Sequence, residues 1–226
     1  MSIAYVNGAN TGAIIVAPSN PVTVTLNLAA GDLCIINMRG AGFLAISGIS
    51  DTASNSWNWG TSLSFGTSNI QSGWCYNSNS NSSDVISVSY TGSPSYVILW
   101  ADVFSGIATT SAFDVQSTSS STLSGVTTTN SISPSGSGDL CYAIGSSETT
   151  SGSWTPGAGY SNAQNAPGSN GCAAFSMYQV FSGTFSGTVS ASQTSGTNSG
   201  LLAYTFKAAG GGGVTTHYLS CLGCGG

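Results

Sequence analysis

The tetrad Gly31-Asp32-Leu33-Cys34 returns as Gly138-Asp139-Leu140-Cys141, 107 residues further on, and the stretches after the two copies run in parallel. After each tetrad come a Trp in a polar loop (Trp57, Trp154) and a Gly-led segment with a second Cys, Gly73-Trp74-Cys75 in one half and Gly171-Cys172 in the other. An alternating stretch then appears, Ile86-Ser87-Val88-Ser89-Tyr90 and Thr188-Val189-Ser190-Ala191-Ser192. A long apolar stretch closes each half, Tyr96 to Phe104 and Leu201 to Phe206. Self-similarity at this period marks two versions of one supersecondary unit and constrains the fold before any single element is assigned.

The alternation in Val22-Thr23-Val24-Thr25-Leu26 and in Ile86 to Tyr90 puts one side of each strand inward and one in solvent, as in antiparallel sheets. Helical periodicity is absent. A half-unit of this size has a marginal core alone, whereas two facing sheets bury both apolar faces. The expected fold is therefore all-β: an antiparallel double-sheet β-sandwich of jelly-roll type with an internal pseudo-repeat. It occupies residues 1–209 as one domain built from related halves at about 20–108 and 124–208, joined by a Ser/Thr-rich linker from Thr109 to Pro134. Residues 210–226 read as a flexible Gly-rich tail.

Only 4% of the residues are charged, against roughly 25% in an average soluble domain. Solubility must rest on hydroxyls and amides. With two bases, Arg39 and Lys207, against seven acids, no basic patch exists to neutralise phosphates, so nucleic acid is not an expected partner. The apolar stretch from Tyr96 to Phe104 is interrupted by Asp102 and falls far short of the roughly 20 residues of a spanning helix, so no membrane span is expected. The first residues, Met1 to Gly8, lack the basic and apolar regions of a secretory signal, and a virion or extracellular location reached without one is the expectation.

The order Gly31-Asp32-Leu33, then Ile49-Ser50-Asp51-Thr52-Ala53-Ser54-Asn55-Ser56-Trp57, then Val88, then Val103-Phe104-Ser105-Gly106 resembles the jelly-roll modules of phage virion proteins and of bacterial surface and carbohydrate-binding proteins. In those modules a Gly-Asp-Leu strand, a Ser-Asp-x-x-Gly-Asn-x-Trp loop and a terminal strand ending in Ser-Gly recur; Ser54 stands here where the loop glycine is usual. The resemblance spans roughly residues 20 to 208. It implies a structural or binding role.

Hydrolysis needs two positioned carboxylates, or a nucleophile with a base and an orienting acid. Asp32 and Asp139 are repeat equivalents at strand entrances, where Gly-Asp makes a turn, and the single histidine, His217, lies beyond four consecutive glycines. No catalytic residue, no metal site and no cofactor is expected, and the chain is not expected to be an enzyme. Asp51 and Asn55 read as an Asx turn. His217, Cys221 and Cys224 supply three zinc-type ligands and lack a fourth. Cys34 with Cys75, and Cys141 with Cys172, hold matching places in the halves; they are candidate disulfides in an oxidising compartment and small buried hydrophobes in a reducing one.

Trp57, Trp59, Trp74, Trp154 and Tyr160 lie near polar loops, where amphipathic rings stack on sugars or fill protein interfaces; Trp57, Trp59, Trp154 and Tyr160 are the candidate binding residues. In the tail, His217, Tyr218, Leu219, Cys221, Leu222 and Cys224 come after the glycine spacer as a short sticky segment suited to docking on a neighbouring subunit. The expected function is that of a structural protein of a virion exterior, a capsid decoration or tail-associated protein, that binds copies of itself and other virion proteins. The alternative is a carbohydrate-binding or adhesin module with surface glycans as partners.

Overall fold

The computed structural model of the chain describes residues 2–11, 15–121, 125–148, 153–169, 172–194 and 198–210. Every regular element among them is a β-strand. The first half holds β1 (Ala4–Asn10), β2 (Ile15–Val16), β3 (Val22–Leu28), β4 (Leu33–Asp51), β5 (Asn58–Trp59), β6 (Leu63–Phe65), β7 (Ser68–Cys75) and β8 (Asn81–Ser105). The second holds β9 (Phe113–Ser121), β10 (Gly125–Thr128), β11 (Leu140–Ser147), β12 (Trp154–Pro156), β13 (Ser161–Ser169), β14 (Cys172–Val180), β15 (Ser190–Gln193) and β16 (Ser199–Phe206). All pairings are antiparallel, and the sheets pack on one another as a sandwich.

The two longest strands, β4 with 19 residues and β8 with 25, pair twice. Residues 33–41 of β4 run against 96–104 of β8, and residues 43–51 against 86–92. Between these stretches the register shifts, and Gly42 (φ 79°) and Gly92 (φ 93°) adopt a left-handed backbone that a side chain would strain. Here the ribbon passes from one sheet to another. The inner sheet has the order β1, β8, β4, β7, β5, and the outer pairing is β3 on residues 81–88 of β8, which pair in turn with the end of β4. In the second half the inner order is β9, β16, β11, β14, β13 and the outer order β10, β15, β12. Apart from the short strands β2 and β6 of the first half, the two halves follow one strand order.

Alternation decides which interior each side chain enters. On β4, Leu33 and Ile35 face the second half while Cys34, Ile36 and Met38 face β3; on β11, Leu140, Tyr142 and Ile144 face the first half while Cys141 and Ala143 face the outer sheet of their own half. Three interiors result, one within each half and one between them. The pair of facing sheets expected from the sequence is the inner pair, and each of its members also carries an outer sheet. Because the central inner strands β11 and β16, and the inner stretches of β4 and β8, are buried on both faces, they read as largely apolar runs, whereas β3, covered on one face, alternates strictly. At roughly 1.5–3 kcal/mol for each large apolar side chain removed from water, Ile98, Trp100, Phe104, Leu202 and Phe206 in the shared interior couple the halves strongly.

The duplicated tetrad has one geometry. Gly31 (φ 86°) and Gly138 (φ 77°) both take the left-handed conformation. The next carbonyl in each copy, of Asp32 and of Asp139, accepts a backbone bond from a residue just past the neighbouring strand, Ser78 at 3.1 Å and Phe181 at 3.1 Å. One expectation needs correction. The segment read as a linker, Thr109 to Pro134, contains β9 and β10. Ser117, Thr127 and Thr129 are buried while Thr109, Thr110, Ser120 and Thr128 are exposed, so a composition of small hydroxyl residues that reads as a linker here builds two edge strands.

Candidate functional site

None of the seven acids and two bases is among the exposed residues. Asp32, Asp84, Asp102, Asp139 and Arg39 are buried, and Asp51, Asp114, Glu148 and Lys207 are half-buried. Lys207 pairs with Asp114 at 3.8 Å. Charge is drawn inward, and much of it collects where the halves meet.

Asp102, the one acid in the apolar run of β8, points into the shared interior. Its carboxylate accepts from Tyr142 Oη (2.6 Å), Ser176 Oγ (2.7 Å), Gln164 Nε2 (2.9 Å) and Tyr5 Oη (3.3 Å). Tyr142 Oη accepts from Asn37 Nδ2 at 2.5 Å, and Asn37 Oδ1 accepts from Ser72 Oγ at 2.7 Å. Burial raises the Asp102 pKa against the opposing effect of its hydrogen bonds, and burial together with the Asp102 charge pushes the Tyr142 hydroxyl well up, fixing it as a donor. Beside this cluster, Asn10, Trp100 and Gln164 line a void of about 10 Å³, room for one water and no reactant. This is a lock between halves. No residue of it except Asp102 stands out in the sequence.

A second polar chain crosses the same seam. Arg39, fully buried, donates from Nε to Ser146 Oγ (3.2 Å) and from Nη2 to Ser68 Oγ (3.0 Å), with its guanidinium 4.9 Å over the Tyr96 ring. Ser68 Oγ in turn donates to Glu148 Oε1 at 2.9 Å, which also accepts from Thr67 N at 2.7 Å, while Asn198 Nδ2 donates to Oε2 at 2.7 Å. Burial acts to raise the Glu148 carboxyl, but these donors outweigh it and hold it below the usual range.

The structure does not bring the four candidate aromatics together. Trp154 is in the interior of the second half, stacked on Phe175 with centroids 4.7 Å apart, and is no surface binder. Tyr160 is half-buried against that interior and donates to Cys141 Sγ at 3.3 Å. Trp57 packs on the interior of the first half and donates from Nε1 to Asp51 Oδ2 at 2.6 Å; Asp51 Oδ1 accepts from Asn55 N at 3.0 Å, which makes the Asx-type clasp expected of that loop. Ser54 has φ 59°, the conformation a glycine takes without strain. Of the four, only Trp59, 43% exposed, is available to a partner.

Cys34 and Cys75 sit directly opposite one another on β4 and β7 as buried free thiols, their mutual hydrogen bond and burial raising the Cys34 pKa. Cys141 is also a free thiol, pushed up to about 11 by burial. A Cys141–Cys172 bridge is ruled out by register. Cys141 faces Gln179 on β14, seven residues from Cys172 and so about 23 Å along the strand, against a Cα separation below about 7 Å for a disulfide. The tail residues His217, Tyr218, Leu219, Cys221, Leu222 and Cys224 lie outside the described residues. Among the described residues, no group of three or more His, Cys, Asp or Glu is placed to hold a metal ion, and no helix is long and apolar enough to cross a membrane.

One surface feature joins the halves from outside. Asn58 on β5, Trp74 on β7, Tyr76, Ser111 and Phe113 on β9 line an open groove of about 260 Å³. Trp74 and Phe113 stack across the seam at 4.6 Å and 22°. The sequence singles out Trp74 but not Tyr76 or Phe113; the signal was the spacing of Trp74 and Tyr76, two apart and so directed to one side of an extended chain. No protein-family model, curated protein or solved structure matches this chain.

Proposed function

We propose that the protein is a structural component of the exterior of a virion or a comparable extracellular assembly, acting by multivalent contact and not by chemistry. One observation carries this reading: the sheet edges are almost free of charge. The strands β1, β3, β5, β10, β12 and β13 contain no Asp, Glu, Lys or Arg. The edge strand β9 has one acid, Asp114, and Ser135 and Lys207 hold its carboxylate. Sheet edges present unpaired N–H and C=O groups, and soluble monomers usually blunt them with lysine or other charges. β1 and β13 carry bulges that interrupt their edges, but β10 pairs in unbroken register and β3 does so from Val22 to Leu26. With no charged side chain on these strands, two edges meet without local like-charge repulsion. A jelly-roll module of virion type fits such a role.

The test is a double substitution on two outer edges, Thr25→Lys on β3 and Val126→Lys on β10, both at exposed positions. Stability should stay within about 0.5 kcal/mol of the parent. Light scattering, electron microscopy and co-sedimentation with particles of the native source should show ordered association by the parent and its loss in the variant. A parent that stays monomeric at high concentration and is missing from particles, or a variant that associates normally, overturns the reading.

A further inference from the structure

We propose that Cys34 and Cys75 are joined by a disulfide when the chain folds in oxidising surroundings, a covalent clasp confined to the first half. This goes beyond the assembly role and uses neither of the edge strands, β3 and β10, on which that role is tested. The strand register carries it. Cys34 on β4 is paired directly with Cys75 on β7, and both side chains enter the interior that these strands share with β3. Directly opposed residues of an antiparallel pair have Cα atoms about 4.5 or 5.5 Å apart, depending on where the ladder bonds fall, and both separations lie within the roughly 4.4–6.8 Å of natural disulfides. The two thiols already share a hydrogen bond, so the bridge asks for side-chain rotation and not for a shift of strands. The second half has no such pair: Cys141, the counterpart of Cys34, faces Gln179 on β14 and Thr205 on β16.

The bridge closes residues 34–75 into a ring beside the backbone bonds from Gly31 N to Ser78 O (2.9 Å) and from Ser78 N to Asp32 O (3.1 Å). That ring holds the bend of β4 at Gly42, the clasp from Asp51 to Trp57 and the edge strand β5. A cross-link of this kind acts mainly by removing loop-closure entropy from the unfolded chain. In the first step the thiolate of one cysteine attacks a small-molecule disulfide, forming a mixed disulfide and releasing one small thiol; the thiolate of the other then attacks the mixed disulfide, forming the Sγ–Sγ bond and releasing the second. Two electrons pass to the small-molecule disulfide, and the two cysteine protons end on the released thiols. With Cys34 wholly buried and Cys75 1% exposed, neither thiol meets an oxidant in the closed sandwich. The bridge therefore forms while the first half is folding or open, and once made it is shielded from reductants in the same way.

The experiment refolds the full chain from denaturant in parallel, in a buffer of oxidised and reduced glutathione and in dithiothreitol alone. Free thiols are then alkylated, and non-reducing peptide mass mapping after peptic digestion locates every bridge. The expected result is that the glutathione sample yields the Cys34 and Cys75 peptides linked to each other, with Cys141 alkylated, and melts about 5–10 °C above the dithiothreitol sample. Cys34→Ala should abolish that difference in Tm, and Cys141→Ala should leave it in place. Alkylation of both Cys34 and Cys75 after oxidative refolding, a bridge from either to another cysteine, or a redox difference in Tm that survives Cys34→Ala overturns the proposal. The mapping is made on the parent chain, so it decides the matter even where a variant folds poorly. Particle association by the Thr25→Lys, Val126→Lys pair is unaffected by any of these outcomes, so the two readings fail separately.

Discussion

The two halves share one strand order but connect their layers differently. In the first, β4 and β8 run unbroken through inner and outer sheets, bending at Gly42 and Gly92. In the second, the same path is given by separate strands, β11 and β12 on one side and β15 and β16 on the other. Packing does not suffer: each half keeps its own interior, and the central inner strands of both are buried on two faces. The comparison teaches that the pattern of facing side chains specifies this architecture, while strand continuity is free to vary.

If the halves are one cooperative unit joined through the seam, the largest effect should come from the seam itself. Asp102→Ala leaves the Tyr142, Ser176 and Gln164 donors without their acceptor in the interior, and the expected loss is about 3 kcal/mol or more in denaturant unfolding. Unfolding should remain a single transition. Two separated transitions would show that each half stands alone and that the shared interior adds little.

A smaller, signed effect separates the two carboxylates of the seam. The Asp102 pKa is raised, so its ionised form is a liability in the fold: the penalty is present at neutral pH and is relieved as pH falls through the folded pKa. The Glu148 pKa is lowered, so its contribution is present above the unfolded carboxylate pKa and is lost as pH falls through the folded value. Between neutral pH and about pH 4 the two oppose each other. Thermal melts should therefore show Asp102→Asn losing more stability on acidification than the parent, and Glu148→Gln losing less. Identical pH profiles for the three proteins would show that neither carboxylate differs from its unfolded state.

The smallest effect lies in the loop after β4, whose clasp from Asp51 to Trp57 belongs to the first half. Ser54→Gly should raise stability by about 1 kcal/mol by removing a left-handed serine, partly offset by added freedom in the unfolded chain. A rise in Tm checks it, and a fall would mean that the serine side chain contributes more than the strain costs.

Much of this was legible in the sequence, and the failures have physical causes. The tetrads announced the repeat because Gly31 and Gly138 each need a left-handed backbone, and the alternation of Val22 to Leu26 announced a one-sided strand. The third interior was hidden, since Leu33 to Met38 is apolar on both faces and does not say how many partners it has. The cysteine match misled because Gly73-Trp74-Cys75 closes β7 whereas Cys172 opens β14, so the same short motif falls at opposite strand ends. Trp154 looks like a loop aromatic until β12 is seen to pair with β15 and turn the ring onto Phe175. The seam network was out of reach: Asn37, Tyr142, Ser176 and Gln164 are ordinary strand residues until two sheets are laid face to face.

The inward turn of the charges also governs how the protein meets digestive enzymes. A protease that cuts after lysine or arginine has two peptide bonds to attack in the whole chain. One comes after Arg39, fully buried and mid-strand between β7 and β8. The other comes after Lys207, past the last strand, and a cut there would shed the C-terminal segment while leaving both sandwiches entire.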